Sequence, residues 1–214
     1  MIYLDSADPK EAAAAAELGF ISGITTNPAL MAKHDAPPLE QLRGLLRIFT
    51  GGPVFYQPGA TEPRMAEAEA RQAYEIDPTR VVLKLPARLN MYRLAAKLTK
   101  EGMSCAMTAV YSPAQAILAQ QTGCRWVIPY VDRALRLMAG GEQLVPSLAN
   151  VLLVSNGSVQ ILAASLKSPE QVSRAVMDGA HGVTVPMSVL AQLADNPLSE
   201  SAIAEFERVA ASRG

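Results

Sequence analysis

The chain alternates short apolar runs with longer stretches of helical periodicity, eight times over. The runs at 2–4, 19–25, 54–56, 81–85, 103–109, 126–131, 160–164 and 182–185 are mostly near-continuously apolar. Unbroken apolarity, rather than strict alternation, marks parallel strands covered on both faces. The segments 9–18, 39–49, 62–75, 90–101, 113–121, 135–156, 169–178 and 188–194 read as helices, and a last one spans 199–211. Eight strand–helix units in 214 residues leave about 27 residues each, near the minimum for a strand plus its crossover helix. The compact solution is one α/β domain over 1–214, a (β/α)8 TIM barrel with an extra C-terminal helix. An open doubly wound sheet is the alternative.

Local signals mark several boundaries. Ser112-Pro113 places a capping hydroxyl before a first-turn proline. Ser168 with Gln171 reads as a capping box. Gly102 and Gly179 end helices, and Ser6-Ala7-Asp8 opens the first one. Ala66, Ala70 and Ala73 share one side of helix 62–75. Pro37-Pro38 marks a loop, and Gly140-Gly141 interrupts the long helical stretch.

Composition narrows the function. Net charge is −1, with 19 Lys plus Arg against 20 Asp plus Glu, so no basic excess favours nucleic acid. No apolar run approaches the ~20 residues that span a bilayer, and no charged leader precedes the first strand. A cytoplasmic protein is expected. The two cysteines, Cys105 and Cys124, form no CxxC and read as reduced, buried thiols. Only His34 and His181 are present, which argues against a zinc site built from several histidines. GxxxxGK[ST] and GxGxxG are both absent, so a nucleotide cofactor has no foothold. No metal and no cofactor is expected.

In a barrel, chemistry belongs where strands end. Polar residues recur there, one or two per unit: Asp5, Thr25 with Asn27, Gln57, Lys84, Thr108, Tyr130 and Ser165. Singly each reads as a satisfied rim group; together they describe a polar cup. Lys84 is the sharpest, because it alone among the lysines lies inside a strongly apolar run, Val81-Val82-Leu83-Lys84-Leu85-Pro86. Burying an ammonium lowers its pKa, and a neutral amine at pH 7 attacks carbonyls to give a Schiff base. A lysine snorkelling to the rim to pair with Asp5 is the bland alternative. With histidine scarce, proton transfer would fall to a carboxylate, a phenol or held water, through Asp5, Tyr130, Gln57 and Thr108. Arg133, Ser165 and Lys167 lie after the sixth and seventh strands, near where barrels often grip phosphate, although ordinary loop charges are an equal reading.

Six segments carry a resemblance. Asp5, Gly23-Ile24-Thr25-Thr26-Asn27-Pro28, Val82-Leu83-Lys84-Leu85-Pro86, Thr108-Ala109-Val110-Tyr111, Pro129-Tyr130-Val131-Asp132-Arg133 and Leu162-Ala163-Ala164-Ser165-Leu166-Lys167 resemble the transaldolase family in order and spacing. The short length is similar to the small subgroup that includes fructose-6-phosphate aldolase. The resemblance implies a Schiff base on Lys84, with substrate hydroxyls held by Asp5 and Asn27, and Thr25 lining the cup. It implies acid–base work or water-holding by Gln57, Thr108 and Tyr130, and phosphate binding by Arg133, Ser165 and Lys167. Gln57 and Tyr130 stand where a true transaldolase usually has Glu and Phe. The partners implied are sugar phosphates and dihydroxyacetone, in a homo-oligomer (pentamer or decamer). The chain departs from the family in the 134–141 loop, at Arg88 and at Ile128. Three functions follow as expectations: an aldolase of the fructose-6-phosphate type, a transaldolase, and a sugar-phosphate-binding barrel without chemistry.

Overall fold

In a computed structural model that describes residues 1–60, 62–155 and 157–212, eight parallel strands close into a barrel in sequence order. The strands are β1 (Ile2–Asp5), β2 (Ile24–Thr25), β3 (Val54–Tyr56), β4 (Val81–Pro86), β5 (Cys105–Val110), β6 (Trp126–Pro129), β7 (Gln160–Ala163) and β8 (Gly182–Val185). The helices are α1 (Pro9–Leu18), α2 (Pro28–Met31), α3 (Pro38–Ile48), α4 (Pro63–Ile76), α5 (Leu89–Lys100), α6 (Pro113–Gln121), α7 (Val131–Leu137), α8 (Leu144–Val154), α9 (Pro169–Met177), α10 (Met187–Gln192) and α11 (Pro197–Ala211). The (β/α)8 barrel and its C-terminal helix are thus as expected, and the open sheet is excluded.

Strand alternation separates two cores. One face of each strand packs against the helices through Leu4, Ile24, Val54, Leu83, Met107, Val127, Ile161 and Val183. The other face fills the barrel with Tyr3, Phe55, Val82, Ala106, Trp126, Ile128, Leu162 and Ala164. In this inner core Phe55 meets Tyr3 and Trp126 edge-on, at centroid distances of 5.8 and 5.1 Å. Gly23 makes room for the Tyr3 ring: a Cβ there would lie 2.7 Å from it and 2.6 Å from the Pro53 carbonyl. Two steps further along a strand, the same inward face reaches the C-terminal rim. Tyr3 leads to Asp5, Phe55 to Gln57, Val82 to Lys84, Ala106 to Thr108 and Ile128 to Tyr130. The barrel floor therefore sets which side chains the mouth receives.

Several boundaries differ from expectation. The run at 19–25 yields a strand only at Ile24–Thr25, because Gly19 closes α1 with a left-handed φ of 71°. Asn27 caps the unexpected α2 by accepting from the Leu30 amide, with Pro28 in the first turn. β5 begins at Cys105 and runs through Ala109, whose φ of 56° accompanies a register shift against β6. The 126–131 run stops at Pro129, since Tyr130 caps α7. Gly140-Gly141 divides the long stretch into α7, a 3-10 turn at Gly141–Gln143 and α8. The expected end of that stretch, Asn156, lies outside the described residues. Ser112 and Gln115 form the full reciprocal capping box on α6. On α9 only half of it forms: Ser168 accepts from the Gln171 amide, while the Gln171 carboxamide bonds the Lys167 amide and Asp132. Both cysteines are buried and free, and burial raises both thiols, Cys124 to about 11.

Candidate active site

The strand ends enclose one cavity of about 520 Å3. Asp5, Thr25, Asn27, Gln57 and Lys84 line one part of its wall, and Tyr130, Arg133, Ser165 and Lys167 another. Thr108 does not line it. Its hydroxyl lies behind the Tyr130 phenol at 3.4 Å and is itself 1% exposed. Nine of the ten predicted site residues therefore share one space, and the tenth supports one of them.

Lys84 is 3% exposed and lies within the strand rather than at its end. Burial brings its ammonium down from 10.5 to about 8, partly opposed by the charge of Asp5. The expected neutral amine is thus a minority form at pH 7, about one molecule in ten, against roughly one in several thousand for a free lysine. Among the described residues Lys84 forms no salt bridge, so the snorkelling pair with Asp5 is not seen. Instead the Thr25 hydroxyl donates to Asp5 at 2.8 Å and shares a contact of 2.6 Å with Thr184. This chain joins the ends of β1, β2 and β8 and fixes the carboxylate's orientation.

Burial also raises the Tyr130 phenol, assisted by the charge of Asp5 and opposed by Thr108 and Arg133. The phenol stays protonated at neutral pH and can donate. The Arg133 guanidinium lies 5.2 Å over its ring, and Tyr111 meets it edge-on at 6.2 Å. The Asn27 side-chain oxygen accepts the α2 cap bond, and its amide nitrogen is a donor that a substrate hydroxyl can meet. Among the described residues the buried Gln57 side-chain oxygen has no partner, a cost relieved when a water or a substrate hydroxyl donates to it.

The cations of the cavity are held by its framework. Ser165 adopts a left-handed φ of 60°, uncommon for serine, and its carbonyl accepts from the Asp132 amide at 3.1 Å. Gln171 ties the Lys167 amide to the Asp132 carboxylate. These links hold the end of β7 beside the start of α7, where Arg133 is located. Arg88 is the N-terminal residue flanking α5 and does not line the cavity, and Ile128 belongs to the inner core beneath it.

Sequence reading missed two polar lining residues, Thr184 and Lys33. Thr184 gave no signal, since threonine is an ordinary strand former. Lys33 follows α2, a helix that was not foreseen. Among the described residues no group of three or more His, Cys, Asp and Glu could hold a metal, and no helix is long and apolar enough to cross a membrane.

A parallel barrel with a buried amine, a protonated phenol and the side chains of Lys33, Arg133 and Lys167 at its C-terminal mouth defines the class: a (β/α)8 scaffold equipped to work on small carbonyl compounds. The sequence matches the Transaldolase/Fructose-6-phosphate aldolase family over residues 2–213, and the chain belongs to that family. It is an enzyme, of the aldolase or the transaldolase kind. A "Probable transaldolase" of Symbiobacterium thermophilum is 34% identical over 205 residues, covering 96% of this chain and 94% of the relative. One of Halalkalibacterium halodurans is 30% identical over 204 residues, covering 95% of each. One of Desulfitobacterium hafniense is 34% identical over 203 residues, covering 95% of this chain and 94% of the relative.

Proposed function

We propose that the chain is a class I, Schiff-base aldol enzyme of the fructose-6-phosphate aldolase type, working without a cofactor in the cytoplasm. The observation that carries this reading is Lys84, a buried amine with its pKa lowered to about 8, opening into a cavity that also holds Arg133 and Lys167. The neutral amine attacks C2 of fructose 6-phosphate, and the carbinolamine loses water to give an iminium. A base, assigned to Asp5 acting directly or through water, takes the proton of the C4 hydroxyl. The C3–C4 bond then breaks, its electron pair enters the iminium, and glyceraldehyde 3-phosphate leaves. The remaining enamine gains a proton at C3 from Tyr130, whose hydroxyl accepts from Thr108, and water held by Gln57 hydrolyses the iminium to dihydroxyacetone and free Lys84. Asn27 and Thr25 hold hydroxyls on the donor side. Arg133, Ser165 and Lys167 hold the phosphate as a charge-assisted cluster.

The second reading is a transaldolase, favoured by the printed names of the relatives. In that case the enamine waits for an acceptor aldehyde instead of taking a proton. Tyr130 and Gln57 weigh toward the aldolase, because a phenol can supply the proton that a phenyl ring cannot. Release of dihydroxyacetone from fructose 6-phosphate without erythrose 4-phosphate decides for the aldolase; turnover only with it decides for the transferase. The shared chemistry is tested by borohydride trapping with dihydroxyacetone, read by intact mass and peptide mapping. A reduced adduct on Lys84 is expected, and no adduct, or one on another residue, overturns the reading.

A further inference from the structure

Gln57 has an inward-facing site role in the proposed reaction, yet among the described residues no side chain in the cavity holds its carboxamide oxygen. Its neighbour Tyr56 faces the opposite way, as successive strand residues must, and is 1% exposed against α4. There the Tyr56 hydroxyl donates to Glu69 at 2.6 Å. The same carboxylate accepts from the Gly59 amide at 3.0 and 3.1 Å to its two oxygens, and from the Ala60 amide at 3.2 Å. One side chain of α4 thus clamps the end of β3 and the loop beyond it, on both sides of Gln57 in sequence. A second cavity, of about 160 Å3, lies behind this strand end. Gln57 borders both cavities, and no hydrogen bond to its side chain is seen among the described residues, so its place depends on its backbone.

We propose that Glu69, acting through Tyr56 and the Gly59 and Ala60 amides, is a positioning residue that sets Gln57 for the proton and water steps of the reaction. The inference rests on the aldol reading above. Glu69 touches no substrate; it acts on the geometry of a residue that does. A misplacement of the order of 1 Å at such a group costs catalysis heavily while leaving substrate binding largely intact. Three donors converge on this one half-buried carboxylate in four hydrogen bonds, and two of the donors are backbone amides, so the carboxylate fixes backbone as well as side chain.

The test is a double-mutant cycle on fructose 6-phosphate cleavage, built from Tyr56→Phe, Glu69→Gln and Gln57→Ala. Tyr56→Phe removes one hydroxyl and keeps the ring, so folding survives; Glu69→Gln is a second, independent probe of the same clamp. Each is expected to lower kcat about tenfold with KM changed less than about twofold. In the Gln57→Ala background the same changes should alter kcat by less than about twofold, because the residue they position is gone. Full kcat in both single variants overturns the proposal, as does an undiminished loss in the Gln57→Ala background. Borohydride trapping on the parent chain separates the two levels. A parent that traps no ketone overturns the aldol reading and this inference with it, whereas a trapping parent with uncoupled variants overturns this inference alone.

Discussion

Lys84, the proposed nucleophile, costs folding stability because it is buried. Its pKa falls from 10.5 in the unfolded chain to about 8 in the barrel, so between these values the unfolded state binds more protons. Stability therefore rises with pH across that window, and below about pH 8 the native state carries the full cost of a buried ammonium. That cost is at most about 3 kcal/mol at pH 7. Lys84→Met is expected to raise the melting temperature at pH 7, with the gain shrinking toward pH 10.5, while removing the borohydride adduct. Thermal unfolding at several pH values checks it, and an unchanged or lowered melting temperature at pH 7 contradicts the assignment. The same pKa predicts that Schiff-base formation accelerates about tenfold per pH unit below pH 8 and levels off above it, measured by trapping rates. Tyr130→Phe should leave trapping intact and lower dihydroxyacetone release relative to transfer onto erythrose 4-phosphate by about tenfold or more. An unchanged ratio refutes the phenol's role. Lys84 was readable in the sequence because a charge in an apolar run breaks an expectation. Thr184 was not, because a threonine in a strand breaks none.

Each element is stabilised by cues of unequal weight, and the two serine caps show it. Ser112 and Gln115 satisfy two amides reciprocally, whereas Gln171 leaves Ser168 with a single bond and joins Lys167 to Asp132 instead. Ser112→Ala is expected to cost about 1–2 kcal/mol in urea unfolding and Ser168→Ala less, about 0.5–1. In return Gln171→Ala should weaken substrate phosphate binding, seen as a raised KM with kcat little changed, because it releases the loop that carries Lys167. The sequence motif is the same in both places; what the glutamine does depends on a tertiary partner 39 residues away, which no local pattern records. The divided helix is a similar case. Gly140-Gly141 signalled a break, but its sharpness comes from a close approach: a Cβ on Gly141 would lie 2.2 Å from the Ala134 carbonyl. Strand length was equally illegible at β2, where apolar residues from Gly19 onward serve a helix cap and a loop rather than the ladder.

At the scale of the whole molecule, the barrel is legible because two constraints coincide: apolar runs without alternation, and eight units whose average length leaves little beyond a strand and its helical crossover. The interior was less so, since a sequence of this kind does not say which face of a doubly covered strand turns inward. That choice is made by the Tyr3–Phe55–Trp126 stack and the glycines beside it, and it delivers Asp5, Gln57 and Lys84 to the mouth together. The outside poses the opposite question at α11. None of its residues is buried, and Ile203, Phe206 and Val209 recur on it at three-residue spacing, exposed together with Leu198 among the described residues. An apolar stripe left exposed on a helix does not repay the helix's ordering entropy in water, so a contact with another copy is the economical account of it. This supports the homo-oligomer that the family resemblance implies. None of the cavity's lining residues lies on α11, so assembly and chemistry should separate cleanly. Sedimentation equilibrium is expected to find an oligomer for the full chain and a smaller species once residues 197–214 are removed, with Lys84 still trapping dihydroxyacetone in both. A full chain that sediments as a monomer, or a truncated one that assembles unchanged, leaves α11 without that role.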